Sequence, residues 1–304
     1  DKKNNFQFLS HQYEGESQLL EIKYENSIHK IKLNLIGKIQ LKNFLMAVIA
    51  SIKSNVNIKD ILNVIPKIKS VEGRFDRVGK IKNNSKVILD YAHTPDALKT
   101  CLKNIKEQFA GCKISLVFGC GGNRDQNKRA KMGKIADFFS HKIYLTDDNP
   151  RLEKPSQIRK DIKKGIKKHK VFEYPNRAKA ISEAIKHLNT GEILLVAGKG
   201  HETVQEIGLK KIFFSDKKII LNAIKIKNSA LSNSFKVNIL NELNGEKKIS
   251  NKIYLKKARI NSREIKKGDI FFAIKGIKKN GNKFISEAFK LSLIHISEPT
   301  RLGM

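Results

Sequence analysis

The sequence has little cysteine, no long apolar run and few acidic side chains. Three cysteines among 304 residues exclude a disulfide-stapled secreted scaffold and favour the reducing cytosol. No apolar run approaches the ~18–20 residues of a membrane-spanning helix, so we expect no membrane partner. The first five residues, DKKNN, include neither an initiator methionine nor the apolar core of a signal peptide. We therefore expect a processed chain or a piece that begins within a longer protein.

The charge is strongly one-sided. Lys and Arg number 61 against 29 Asp and Glu, which gives a formal net charge of +32 and raises nucleic-acid binding as a candidate function. However, only 10 of the 61 basic residues are Arg, whereas base readout favours Arg. The lysines are scattered through every segment, and no zinc-finger spacing, aromatic RNA-binding motif or basic heptad is present. A Lys-, Ile- and Asn-rich genome explains the composition more simply, so we expect no nucleic-acid partner.

Residues 86–220 alternate between strand and helix patterns. Short apolar runs predict buried strands, and apolar stripes predict helices, one of which starts with Pro95 in its first turn. This alternation indicates an α/β fold with a mostly parallel sheet and helices on both faces. Ligands of such folds bind beyond the carboxyl ends of the strands. The predicted strands are 87–89, 114–118, 143–145, 171–173 and 193–197, and the predicted helices are 95–109, 128–139, 155–168 and 177–188.

The flanking segments differ from this pattern. Residues 1–72 look like the end of a preceding domain, and residues 235–290 look like a small separate unit after a polar, loop-like stretch at 228–234. Residues 291–304 break the Lys/Asn bias and resemble translated adapter or vector sequence, so they are left out of the fold prediction. The elements predicted in these flanks are strands at 30–35, 253–255 and 269–274 and helices at 43–54, 58–68 and 237–243.

Four polar or glycine-rich motifs each follow a predicted strand. In the first, Asp90 and His93 are placed to face a ligand, although helix capping by Thr94 is an equal alternative. In the third, Arg151 is suited to a carboxylate and Asp148 to an ammonium group, as in an amino-acid head group, with a solvated turn as the alternative. The motifs are DYAHTPD at 90–96, FGCGGNRD at 118–125, DDNPR at 147–151 and GKGHE at 198–202.

Three common kinds of site are excluded by the same motifs. The glycines do not have the Walker A spacing. A zinc-binding HExxH pattern fails because Gln205 stands where the second histidine would be. A thiol nucleophile at Cys120 with His93 as its base is not supported by any sequence signature of a nucleophilic enzyme. We therefore predict no metal-ligating residue in this chain.

Taken together, the motifs resemble the Mur ligases, the ATP-dependent ligases that build the stem peptide of peptidoglycan in the cytoplasm. The resemblance runs from about residue 35 to residue 220. It implies that 1–72 is the end of the central ATPase domain and that 73–226 is the Rossmann-like C-terminal domain. The matching segments are GRFD at 73–76, DYAHTPDAL at 90–98, FGCGGNRD at 118–125, TDDNPR at 146–151, LVAGKGHE at 195–202 and FSD at 214–216.

The resemblance also implies a reaction and a nucleotide site. In the family, ATP and Mg²⁺ activate a carboxylate of the UDP-N-acetylmuramoyl dipeptide as an acyl phosphate, which the incoming amine attacks. Arg74 matches the family arginine that reaches the ATP phosphates and is the expected catalytic residue. Asp90 and His93 match residues near the ribose, and Asn43 matches the asparagine at the adenine. Gln40 stands where the family usually has another asparagine.

The amino-acid site implied by the resemblance takes meso-diaminopimelate, which is lysine with an extra carboxylate. The two arginines of this site would pair with carboxylates, whereas Asp148 and Glu202 would accept from the ammonium group. Lysine would leave an arginine unpaired, at a cost of roughly 1–3 kcal/mol. The matching residues are Arg124, Asp148, Asn149, Pro150, Arg151, Gly198 and Glu202.

A second, weaker resemblance lies in residues 227–290. NSR at 261–263 and KGDIFFAIKG at 267–276 resemble the UDP-substrate domain of another Mur ligase, with Asn261 where the family has Asp. Ser262 and Arg263 would lie near the UDP-sugar. The D-alanyl-D-alanine-adding member is our interpretation, which would make the parent a fusion of two ligases.

The family's P-loop and Mg²⁺-binding residues would lie ahead of residue 1, so we expect no turnover by this chain alone and a monomeric state. Two alternatives remain open. One is a stand-alone Rossmann-like nucleotide-binding module, and the other is a basic nucleic-acid binder, which predicts steeply salt-dependent affinity for DNA.

Overall fold

The computed structural model describes residues 6–232, 258–265, 269–273 and 294–297. The chain divides into two compact units, Asp1–Lys225 and Ile226–Met304, and each is described by itself. None of the helices within the described residues is long and apolar enough to cross a membrane.

A six-stranded sheet forms the centre of the first unit. Its strand order is β4-β5-β9-β6-β7-β8, and every neighbouring pair is parallel except β4 with β5. The predicted α/β class and mostly parallel sheet are therefore confirmed. The strands are β4 (Asp76–Arg77), β5 (Lys86–Asp90), β6 (Ile114–Phe118), β7 (Lys142–Leu145), β8 (Val171–Glu173) and β9 (Ile193–Ala197).

The two central strands, β6 and β9, are buried along their whole length. Their continuous apolar sequences fit this position, because a parallel strand covered on both faces has no solvent side. The helices that cover the sheet are α3 (Pro95–Gln108), α4 (Lys128–Phe139), α5 (Pro155–Lys163), α6 (Arg177–Lys186) and α7 (Asp216–Ser232). The hydroxyl of Thr94 accepts from the backbone N–H of Ala97 at 3.3 Å, so the predicted cap and the Pro95 start of α3 are confirmed.

A second sheet precedes this core. The strands β1 (Phe6–Glu14), β2 (Ser17–Tyr24) and β3 (Ser27–Leu33) form an antiparallel meander, of which only part of β3 was predicted. Helices α1 (Lys38–Lys53) and α2 (Ile58–Val64) follow, and a short 3₁₀ helix (Ile65–Lys67) continues α2. Pro66 lies in this last turn, and its missing N–H explains why the α-helix predicted to residue 68 stops early.

Two predicted boundaries are wrong for identifiable reasons. Helix α5 ends at Lys163 rather than Lys168, because the Asp137 carboxylate accepts from the backbone N–H groups of residues 167–169 at 2.9 to 3.1 Å and turns the chain. Residues 228–232, predicted as loop, continue α7 to Ser232. A hairpin of β10 (Val204–Ile207) and β11 (Lys210–Phe213) was not predicted.

The second unit contains three short parallel strands, β12 (Ala258–Arg259), β13 (Ile270–Ala273) and β14 (Ile294–Ser297). Strand β13 confirms the prediction for 269–274. Strand β14 lies in the stretch that was left out of the fold prediction. The helix predicted at 237–243 and the strand predicted at 253–255 lie outside the described residues.

A fully buried ion pair ties α6 to α7. The guanidinium of Arg177 donates from Nε and Nη2 to the two carboxylate oxygens of Asp216, at 2.8 and 2.7 Å. Both side chains have 0% exposure. Removing one member of such a pair leaves the other charge buried without compensation.

We expect Asp216→Asn to lower the free energy of unfolding by about 3–5 kcal/mol, measured by urea denaturation. The matched control is Glu107→Gln, which removes the partner of Lys103 in an exposed pair 3.7 Å apart and should cost less than about 1 kcal/mol. If both variants lowered the free energy of unfolding by the same small amount, the large contribution expected of the buried pair would be contradicted.

Candidate amino-acid and nucleotide site

The loops that follow β6 and β7 are in van der Waals contact at the carboxyl edge of the sheet. A Cβ on Gly122 would lie 1.9 Å from the carbonyl oxygen of Pro150, so only glycine fits there. The Gly122 N–H donates to the carbonyl of Asn149 at 2.9 Å, and Arg151 Nη1 donates to the Gly122 carbonyl at 2.9 Å. The second and third motifs are thus locked together.

The loop after β9 joins the same edge through a buried lysine. Lys199 has 0% exposure, and its Nζ donates to Asn149 Oδ1 at 2.8 Å and to Glu202 Oε2 at 2.9 Å. Asn149 Nδ2 also donates to Glu202 Oε2, at 3.1 Å. Lys199 and Asn149 hold the pKa of the Glu202 carboxyl below its ordinary value, although burial alone would raise it.

Asp148 lies on the inner side of these loops and has a different environment. Its Oδ2 is buried and accepts no hydrogen bond from any described residue. The closest cationic atom is Arg177 Nη1 at 3.9 Å, which also lacks a hydrogen-bond partner. A Cβ on Gly198 would lie 2.7 Å from Asp148 Oδ2, so the glycine leaves room for this oxygen.

The two arginines predicted for this edge differ, because one forms an ion pair and the other forms none with any described residue. Arg151 Nε pairs with Glu206 Oε2 of the β10–β11 hairpin at 2.7 Å. Arg124 is exposed and forms no ion pair with any described residue. Beside Arg151 an open cavity of about 470 Å³ is lined by Asn123, Leu152, Glu206, Gly208, Leu209, Lys210 and Lys211.

An aromatic residue connects this edge with Arg74. The Arg74 guanidinium lies 4.3 Å from the ring centroid of Tyr91, within cation–π distance. Burial and the neighbouring Glu202 carboxylate raise the pKa of the Tyr91 hydroxyl. Next to Arg74, a Cβ on Gly73 would lie 2.3 Å from the backbone nitrogen of His201.

Comparison with known proteins agrees with this arrangement. Residues 73–200 match the family described as Mur ligase, glutamate ligase domain. This part of the chain is a Mur ligase C-terminal domain. The chain is 44% identical over 204 residues to UDP-N-acetylmuramoyl-L-alanyl-D-glutamate–2,6-diaminopimelate ligase of Fusobacterium nucleatum, covering 66% of this chain and 41% of the relative. The ligase of the same name from Rickettsia rickettsii is 42% identical over 212 residues, covering 69% and 43%.

A solved structure of a ligase with this name superimposes with a TM-score of 0.59 at 30% identity, covering 75% of this chain and 46% of that chain. The chain therefore spans less than half the length of these three relatives. The predicted fold of the Mur ligase domain is confirmed.

The Mur ligase domain brings most of the predicted amino-acid residues together. Asn149 and Glu202 share one hydrogen-bond network, Asp148 lies next to Gly198 beside it, and Pro150 packs on Gly122. Arg151 and Arg124 lie on the two loops that are locked together. The roles of these residues toward a ligand stay predictions.

The nucleotide-side residues are more dispersed. Asn43 is exposed on α1, one turn after Gln40, whose Nε2 donates to the Arg74 carbonyl at 3.0 Å. His93 is exposed, and its backbone carbonyl accepts from Lys128 Nζ at 2.8 Å.

Asp90 is buried, with 8% exposure. Its oxygens accept from the Phe75 and Ala92 N–H groups, each at 2.8 Å, and from the Cys101 thiol at 3.2 Å. It therefore organises the loops of Arg74 and His93, and direct contact with a ribose stays a prediction.

Ser262 and Arg263 belong to the second unit, on a short 3₁₀ helix (Ser262–Glu264). Nearby, Arg259 pairs with Glu264 at 3.1 Å and with Asp269 at 3.3 Å. The UDP-sugar role of Ser262 and Arg263 stays a prediction.

Sequence reasoning missed four residues of the site. Tyr91 and Lys199 lie inside the quoted motifs, so a count of polar positions in each motif could have found them. Glu206 belongs to the unpredicted hairpin, and Arg177 lies within a predicted helix. Neither position therefore lies in a strand-end motif that would have indicated a site residue. The cationic and aromatic groups around Arg74 fit part of a nucleotide. Among the described residues no group of three or more His, Cys, Asp or Glu side chains is arranged to hold a metal ion, so these residues by themselves do not fit Mg²⁺.

The thiols of the Mur ligase domain differ in exposure. Cys112 is exposed, whereas Cys101 and Cys120 are buried. Burial and the neighbouring Asp90 raise the pKa of the Cys101 thiol, and burial raises the pKa of Cys120 to about 12. Since the thiolate is the reactive form, both buried thiols are poor nucleophiles.

We expect one of the three thiols to react rapidly with DTNB at pH 8 in the native chain and all three to react in guanidinium chloride. The variant Cys112→Ser should abolish the rapid phase. A rapid phase of two thiols, or one that persists in Cys112→Ser, would show that the strand-end loops open readily.

Proposed function

We propose that this chain supplies the amino-acid site and part of the ATP site of a cytoplasmic, ATP-dependent ligase of peptidoglycan precursor synthesis. Its substrates would be UDP-N-acetylmuramoyl-L-alanyl-D-glutamate, meso-diaminopimelate and ATP with Mg²⁺. The observation that carries the proposal is the joining of the DDNPR and GKGHE loops around Asp148 and Glu202. The names of the relatives at 42–44% identity support it.

The charges at this edge suit a zwitterion. Lys199 pairs with Glu202, and Arg151 pairs with Glu206. Asp148 keeps an oxygen without a hydrogen-bond donor among the described residues, and Arg124 is exposed without an ion pair there. A ligand ammonium group would supply the missing donor to Asp148, and a ligand carboxylate would supply the missing ion-pair partner of Arg124. The far end of meso-diaminopimelate carries both groups.

Arg151 offers a further position for a carboxylate. Its Nε is used by Glu206 and its Nη1 by the Gly122 carbonyl, whereas Nη2 has no hydrogen-bond partner among the described residues. The arginine is held on two sides, so a ligand oxygen at Nη2 would meet a preorganised donor. Lysine lacks the carboxylate that would use it.

On the nucleotide side, Arg74 is the residue proposed to meet the ATP phosphates, with His93 and Asn43 nearer the nucleoside. Bound ATP supplies the phosphoryl group that activates a carboxylate. The chain's own contribution is to place a cation at Arg74, supported by the Tyr91 ring at 4.3 Å and by Gln40 on its backbone carbonyl at 3.0 Å.

The second unit supports a separate proposal, that residues 227–290 are part of the UDP-substrate domain of a second Mur ligase of the D-alanyl-D-alanine-adding type. Ser262 and Arg263 of the NSR segment lie on a 3₁₀ helix that precedes the parallel strand β13. Ser262 and Arg263 would then face the UDP-sugar.

We expect the purified chain to bind meso-diaminopimelate about tenfold more tightly than lysine, or more, in isothermal titration calorimetry. Lysine would leave an arginine without its carboxylate partner, which costs about 1–3 kcal/mol of binding free energy. A difference of about 1.4 kcal/mol corresponds to a tenfold difference in Kd. Arg151→Ala and Arg124→Ala should each weaken meso-diaminopimelate binding and leave lysine binding nearly unchanged.

The matched control is Lys131→Ala, which removes an exposed cation of α4 and should change neither affinity. The proposed substrate would be contradicted if lysine bound as tightly as meso-diaminopimelate. It would also be contradicted if both arginine variants kept the full preference for meso-diaminopimelate over lysine.

A further inference from the structure

Lys199 is a charged side chain with no exposed surface, placed among residues expected to bind an amino acid. Its side-chain exposure is 0%, and its Nζ lies 2.8 Å from Asn149 Oδ1 and 2.9 Å from Glu202 Oε2. Burying an ammonium group is costly unless it is paired and hydrogen-bonded. The chain nevertheless keeps a lysine here, between Gly198 and Gly200, rather than an apolar residue of similar length.

The ammonium group fixes the orientation of the Asn149 carboxamide. Asn149 Oδ1 accepts from Lys199 Nζ and, at 3.0 Å, from the backbone N–H of Glu206, while Nδ2 donates to Glu202. A flipped carboxamide would set its NH₂ group against two donors and its oxygen against a carboxylate oxygen. Lys199 therefore acts together with the Glu206 N–H and the Glu202 carboxylate to select one of two nearly isosteric side-chain arrangements.

The same ammonium group fixes one oxygen of Glu202. Both Lys199 Nζ and Asn149 Nδ2 donate to Oε2, so this oxygen is bound from within the protein. The carboxylate is held in one rotamer, and its side chain remains 31% exposed. A ligand ammonium would meet a carboxylate that is already oriented.

We propose that Lys199 is a positioning residue of the amino-acid site, which contacts no ligand and acts by orienting Asn149 and Glu202. This inference rests on the proposed function, since it assigns those two residues to an amino-acid ligand. The orientation of Asn149 and Glu202 is set by contacts within the chain, so it can be tested without a ligand.

The first measurement needs no ligand. The Glu202 carboxyl is titrated by ¹³C NMR in the full chain, with its signal assigned by Glu202→Gln. In the wild type we expect a pKa below the ordinary value of about 4.3. Lys199→Met removes the cation and should raise this pKa, whereas Lys199→Arg, which keeps the charge, should leave it low. An unchanged titration in Lys199→Met would overturn the proposal.

The second measurement is the affinity for meso-diaminopimelate between pH 5 and pH 8. We expect Lys199→Met to bind about tenfold more weakly and to lose further affinity toward pH 5, where Glu202 takes up a proton. The control Ile185→Val lowers stability by about 0.5–1.5 kcal/mol at a buried position of α6. It should bind as the wild type does at every pH.

The outcomes separate the two proposals. A wild type that does not bind meso-diaminopimelate refutes the proposed function, while the Glu202 titration still decides whether Lys199 positions the carboxylate. Should Lys199→Met fail to fold, Lys199→Gln takes its place in both measurements, since it keeps an amide donor without the charge. A loss of affinity in Ile185→Val equal to that in Lys199→Met would assign Lys199 a purely structural role.

Discussion

The site depends on how buried charges are paired beneath the ends of β7 and β9. The side chains of Lys199, Asp216 and Arg177 have 0% exposure, so each must meet an opposite charge or lose free energy. Arg177 meets Asp216, and Lys199 meets Glu202. Lys199 also donates to Asn149 Oδ1 at 2.8 Å, and this hydrogen bond fixes the loop after β9 against the loop after β7. A side chain at this edge therefore has little freedom to move by itself.

This internal pairing determines what is left for a ligand. Apart from Arg177 Nη1, which lies buried 3.9 Å from Asp148 Oδ2, Arg177 and Lys199 use their donors within the protein. This edge is therefore not a general anion-binding surface despite the net charge of +32. What remains in the described structure is one carboxylate oxygen of Asp148, the exposed Arg124 and one nitrogen of Arg151. A ligand that carries both an ammonium group and a carboxylate fits these remaining groups better than a simple anion does.

The sequence was sufficient for the parts of the structure that repeat a local pattern. The Thr94 and Pro95 start of α3 and the apolar strands β6 and β9 were predicted because capping chemistry and apolar runs are local signals. Once the sheet was parallel, its strand-end motifs had to share one edge. The β10–β11 hairpin was missed, and with it Glu206, because Gly208 and Leu209 give only a weak turn signal. Lys199 was passed over because its burial depends on three loops that meet only in the folded chain.

The loop that carries Glu202 packs directly on the loop that carries Arg74. Gly73 lies so close to His201 that no Cβ fits between them. Asp90 accepts from the Phe75 N–H, next to Arg74, and from the Ala92 N–H of the loop that leads to His93. The Tyr91 ring lies against the Arg74 guanidinium, and the Glu202 carboxylate helps to raise the pKa of the Tyr91 hydroxyl. Because the Gly73 backbone packs directly on His201, next to Glu202, a displacement of the loop after β9 must disturb the loop of Arg74 as well.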